Sequence, residues 1–118
     1  MKTSSDFHIN ISGFDQFTRL TKDSTSTYLL VFSTKWSGSS SILIEALKEH
    51  TDPLTPQIDQ VLYIDFEKNK NLADQFGVRE VPTTVIVKNN EALNFLTGLY
   101  SLEELNNTIK EKEKKQNS

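Results

Sequence analysis

The sequence predicts a single α/β domain, a central mixed sheet with helices on both faces. Three observations lead there. Tyr28, Leu29, Leu30, Val31 and Phe32 form an apolar run, rich in strand formers and too short for an ordinary helix, that reads as a strand buried on both faces. After a polar break, Ile42, Leu43, Ala46 and Leu47 recur with helical spacing, so this strand passes through a tight turn into an amphipathic helix with those four residues as its apolar face. Further on, Thr83–Lys88 and Glu91–Thr97 flank Asn89-Asn90, a pair suited to a hairpin turn. The full order reads βαβαβαββα, with right-handed parallel crossovers first and an antiparallel hairpin near the end.

Each element has its own signal. Phe7–Ile11 alternates apolar and polar residues, the period of a half-buried edge strand. Ser12 with Asp15 three residues on resembles a capping box, opening a helix whose apolar side is Phe14, Phe17 and Leu20. Asp23–Ser26 is a polar loop into the central strand. Pro53 and Pro56 make 51–56 a connector, since neither continues a helix. Val61–Phe66 is the second buried strand. Leu72, Ala73 and Phe76 face one side of a short helix, which Gly77 ends as a C-cap. Ser101 and Glu104 form a capping box for the last helix, with Leu102, Leu105 and Ile109 as its buried face. The folded core is expected over residues 7–111 of a single domain spanning 1–118, with 1–6 and 112–118 frayed and the charged end KEKEKKQNS solvated.

Composition narrows the function classes. A net charge of −3 gives no general attraction to nucleic acid or anionic membrane, and no apolar run approaches a membrane span. The start, MKTSSDFHIN, lacks the apolar stretch of a secretory signal, so the cytoplasm is the expected compartment. There is no cysteine, which removes disulfides, thiolate metal sites and thiol nucleophiles together. The chain has no G-x-S-x-G elbow, and its two histidines, His8 and His50, are distant in sequence, so neither a serine hydrolase nor a metal site is suggested. No metal or cofactor is expected. Asp65 and Glu67, near a strand end, read as solvated charges. In an α/β sheet, sites lie at the carboxyl ends of strands, which directs attention to Trp36-Ser37-Gly38-Ser39-Ser40.

That string resembles the W-C-G-P-C redox motif of thioredoxins, with serine at both cysteine positions. Pro82, forty-six residues after Trp36, sits in a Val81-Pro82-Thr83 context similar to the family's cis-proline loop, and Gly98 stands where the family has its late glycine. The resemblance runs from about His8 to Lys110 and implies a thioredoxin fold. It also implies a redox role that this chain cannot perform. In the family, one thiolate attacks a disulfide and the second thiol resolves the mixed disulfide. Ser37 and Ser40, at those positions, cannot cycle through a disulfide. The family's buried acid would lie five residues before Trp36, where Val31 stands, and Ser39 and Glu45 replace two prolines. No catalytic residue is therefore assigned.

The serines have two readings, capping the helix or binding a small anion, and capping is preferred. Trp36 reads equally as a shield for the loop or as an exposed binding anchor. What survives the loss of cysteine is the family's peptide groove, in which an extended strand pairs with the residue before the cis-proline, here Val81. The expected contact set is Trp36, Ser37, Gly38, Val81, Pro82, Gly98 and Leu99. The expected function is a non-redox adaptor or chaperone-like module for a peptide or protein partner. The competing reading is a thiol-disulfide oxidoreductase represented by a cysteine-to-serine inactivated variant, which would leave Val31, Ser39 and Glu45 unexplained.

Overall fold

The computed structural model describes residues 7–22, 25–50, 58–89 and 91–116. The expectations for the first six residues, for Asp23-Ser24, for the 51–56 connector and for Asn90 fall outside them. Strands β1 (His8–Ile11), β2 (Thr27–Ser33), β3 (Gln60–Asp65), β4 (Thr83–Lys88) and β5 (Glu91–Thr97) form one sheet in the order β1-β3-β2-β4-β5. β1, β3 and β2 are parallel, while β4 and β5 run antiparallel to their neighbours. The sheet is mixed, and its last two strands are the expected hairpin, with Asn89 at a left-handed φ of 56°. β1 is an edge strand with one buried residue in four, as its alternation predicts.

Helices α1 (Phe14–Leu20), α2 (Gly38–His50), α3 (Lys70–Phe76) and α4 (Leu102–Gln116) divide between the two faces. Alternate residues of β2 point to opposite sides. Tyr28, Leu30 and Phe32 join Phe17 of α1 and Leu72 and Ala73 of α3 in one apolar cluster. Leu29 and Val31 join Leu43 and Leu47 of α2 and Leu105 and Ile109 of α4 in the other. All seven residues of β2 are buried, so the central strand reads as continuous hydrophobicity for a simple reason: helices cover both its sides.

Four expectations about helices need correction. α1 begins one residue later than its supposed cap: Gly13 is the N-cap, and Ser12 instead gives its hydroxyl hydrogen to Gln16 Oε1 at 2.9 Å. Phe14, in the first turn, is 46% exposed, so Phe17 and Leu20 carry that helix's packing. In α2 the buried face is Ser40, Leu43 and Leu47 with Ile44 partly covered, and Ile42 is 58% exposed. The i, i+3, i+4, i+7 stripe thus includes a serine that apolar counting passed over. α4 continues to Gln116, past residue 111, through a run of Lys, Glu and Gln that are good helix formers. Its start holds: Ser101 Oγ accepts the Glu104 N–H at 3.1 Å. α3 also ends as expected, with Gly77 left-handed at φ 71°.

Candidate functional site

The sheet register brings three loops to one end of the molecule. Phe32 at the end of β2 pairs with Thr83 at the start of β4, and Thr83 pairs with Thr97 at the end of β5. The segment after β2, the segment before β4 and the segment after β5 therefore emerge side by side. They carry Trp36, Val81-Pro82 and Gly98-Leu99 respectively. The last two are joined directly, because the Gly98 N–H donates to the Pro82 C=O at 2.8 Å. Gly98 has φ 73°, a left-handed conformation in which a side chain would be strained.

The Val81–Pro82 peptide bond is cis. The Thr83 hydroxyl donates to the Glu80 C=O at 2.7 Å across this turn. Pro82 itself is buried and Val81 half-buried. Neither the N–H nor the C=O of Val81 has a hydrogen-bond partner among the described residues. A polar backbone edge of this kind is what an added strand can pair with.

The Trp36 loop is built by the serines. The Ser37 N–H reaches back to the Thr34 C=O at 3.4 Å. Ser37 then caps α2: its Oγ accepts the Ser40 N–H at 3.1 Å, and its C=O accepts the Ser41 N–H at 3.2 Å. Ser40 is fully buried, with its Oγ 3.5 Å from the Thr34 nitrogen, whereas Ser39 and Gly38 are exposed. The capping reading of the serines is thus the one the geometry supports. Ser37→Ala should lower stability by about 1 kcal/mol, the usual value of an N-cap hydroxyl. An unchanged urea midpoint would contradict that role.

Trp36 itself is 78% exposed and shields little; the Lys35 ammonium lies 5.6 Å from its ring centroid. Leu99 is 52% exposed beside the same opening. Asp65 is more than a solvated charge. Its Oδ1 accepts the N–H groups of Glu67 and Lys68 at 2.9 and 3.1 Å, shaping the turn that leaves β3, while Glu67 is exposed. Among the described residues, no group of three or more His, Asp or Glu side chains converges to hold a metal.

Beneath the loops, Val31 lies between Tyr63 of β3 and Thr84 of β4 in one row across the sheet. It is completely buried. The flanking hydroxyls are already partnered: Tyr63 with His8 Nδ1 at 2.8 Å, and Thr84 with the Tyr100 hydroxyl at 2.7 Å. Sequence reading missed these polar groups, because only the register shows that they bracket Val31. Burial raises Tyr63 well above its ordinary pKa, and the Tyr100 phenol adds to that shift. Tyr100 is pushed up from 10.0 to about 12 by burial, with its Thr84 hydrogen bond acting the other way. Both folded values lie above the unfolded value of about 10, so the folded state holds these protons longer. The stability they contribute is fully present below about pH 10 and is lost as pH rises through about 12. Denaturation midpoints followed between about pH 9 and 12, with phenolate absorbance alongside, should show this fall. A flat profile would contradict it.

A mixed sheet of this order, with a cis-proline turn beside a strand-to-helix loop, defines a thioredoxin-fold protein, here with no sulfur in that loop. The thioredoxin family profile matches residues 9–111, and the chain belongs to the thioredoxin family. It is 27% identical over 92 residues to a chloroplastic thioredoxin of Arabidopsis thaliana, covering 78% of this chain and 53% of that protein. The chain spans about half the length of the plant relatives it matches. A mutant thioredoxin from Halobacterium salinarum superposes with a TM-score of 0.74 at 28% identity, covering 95% of this chain and 96% of that one. Thioredoxin NaTrxh from Nicotiana alata superposes with a TM-score of 0.76 at 18% identity, over 95% and 98%, which speaks to the fold alone. Among the described residues, no helix is long and apolar enough to cross a membrane.

Proposed function

We propose that this chain is a non-redox thioredoxin-like module that binds an extended peptide segment of a protein partner across Trp36, Val81 and Gly98, acting as an adaptor or chaperone-like subunit in the cytoplasm. The observation that carries the reading is the backbone of Val81, without a hydrogen-bond partner among the described residues, beside an exposed tryptophan in a chain with no cysteine. The contact set is Trp36, Ser37, Gly38, Val81, Pro82, Gly98 and Leu99. Backbone pairing needs no thiol, and a large exposed aromatic supplies the anchor that such interfaces use. Nucleic acid and membrane are not expected partners at a net charge of −3.

The reading of a cysteine-to-serine inactivated oxidoreductase accounts for Ser37 and Ser40 alone. Val31 speaks against it, since an entire apolar cluster is packed around that side chain. A direct test replaces both serines. Ser37→Cys with Ser40→Cys should permit a disulfide yet leave reductase turnover with dithiothreitol far below that of an ordinary thioredoxin, because Val31 offers no group to relay a proton. The unmodified chain should show no turnover above a protein-free blank. Full thioredoxin-like activity in the double variant would overturn the non-redox reading.

A further inference from the structure

A concavity adjoins the proposed groove at the carboxyl ends of the three parallel strands. It measures about 550 Å³ and opens between α2 and the ends of β1, β2 and β3. That volume falls within the range of about 300–1,000 Å³ typical of small-molecule sites. None of its lining residues belongs to the groove's contact set. In open sheets of this kind, ligands collect outside the carboxyl ends of the strands.

Its walls state what could bind. Ile44 and Tyr63, on the α2 side of the sheet, give it an apolar floor. Lys35 and Lys48 stand on its rim, and neither ammonium is set against a carboxylate among the described residues. Lys35 lies over the Trp36 ring at 5.6 Å, and Lys48 over the Tyr63 ring at 5.1 Å. A cation held on an aromatic face keeps N–H donors for an incoming anion. The acidic lining groups are differently placed. Asp65 is committed through Oδ1 to the turn after β3, and Glu45 is exposed on the rim. Two ammonium groups with no carboxylate partner among the described residues, above an apolar floor, favour a ligand with one acidic head and a hydrocarbon body. Glu45 on the same rim disfavours a second acidic group.

We propose that this crevice binds a small apolar monocarboxylate, with its carboxylate at Lys48 and Lys35 and its hydrocarbon part on Ile44 and Tyr63. Octanoate is a suitable probe, titrated into the isotope-labelled full chain and followed by amide NMR. Octanoate should move the amides of Asn10, Ser41, Ile44 and Lys48 along one saturating curve. Octylamine, which keeps the tail and reverses the charge, should leave them in place, as should inorganic phosphate, which lacks the tail. Lys48→Gln, a change at an exposed position, should raise the dissociation constant about tenfold. Equal response to octylamine, shifts that do not saturate, shifts centred on Trp36 and Val81, or an unchanged constant in Lys48→Gln would each overturn the proposal. Lys48 takes no part in the peptide groove, so either reading can fail while the other stands.

Discussion

Val31→Asp should lower the free energy of unfolding by about 2–4 kcal/mol, the scale of burying a polar group without a ready partner. Val31 has no exposed surface and packs with Leu29, Leu43, Val61 and Ile86 in the cluster beneath α2 and α4. The nearest polar groups across the sheet, Tyr63 and Thr84, already hydrogen-bond His8 and Tyr100, so a new carboxyl competes with existing bonds. The loss should also depend on pH, and the sign is fixed. Burial disfavours the charged form, so the aspartate's folded pKa rises above its unfolded value of about 3.9. The folded variant then binds more protons than the unfolded chain, and stability falls as pH rises from about 4 towards 7. Urea midpoints for the wild type, Val31→Asp and Val31→Asn at both ends of that range would read this. Val31→Asn should share the burial cost without the pH dependence. A Val31→Asp midpoint equal to the wild type would mean that the site accepts an acid readily, and that the loss of the family's acid left no imprint on packing.

The fold was legible because its strands and turns carry strong local signals. The Tyr28–Phe32 run, Asn89 after β4 and the glycine after Phe76 each bear on local backbone geometry, and the nine elements of the described residues follow in the order their signals predict. The misreadings came from side chains whose fate depends on tertiary neighbours. Phe14 and Ile42 are apolar and correctly placed on helices, yet both point outward, because the sheet covers only one stripe of each helix. Ser40 shows the reverse: a polar residue one turn before Leu43 and two before Leu47, on the helix face that is buried. The candidate site was legible as three landmarks in sequence, but their adjacency needs the pairing of Phe32 with Thr83 and of Thr83 with Thr97. Strand order, which sequence periodicity does not encode, also hid the Tyr63 and Thr84 hydroxyls beside Val31. The crevice under Lys35 and Lys48 was hidden for the same reason, since its walls come from three strands and a helix far apart in the chain.

Trp36→Ala should weaken binding of a partner peptide by about 2 kcal/mol, close to thirtyfold in the dissociation constant. The side chain is 78% exposed in the free protein, so it has most of its surface left to bury against a ligand. Apolar burial at about 25 cal/mol per Å2 makes a large aromatic the dominant single contributor in a small interface. Its removal should leave folding nearly untouched, because an exposed residue adds little to the core. Ser37→Ala should show the opposite pattern, losing about 1 kcal/mol of stability through the cap while changing affinity little. Ser40→Ala should likewise leave affinity nearly unchanged, since that hydroxyl is buried away from the groove. Amide shifts on titration should appear together at Trp36, Val81 and Gly98, the three loops that the sheet register brings side by side. Pairing with an added strand would engage the N–H of Val81, which has no partner among the described residues, so that amide should also become slower to exchange with solvent. If the shifts gathered instead along the outer face of α4, with Trp36→Ala binding as tightly as the wild type, the groove would be only an inherited shape and the partner's site would lie on that helix.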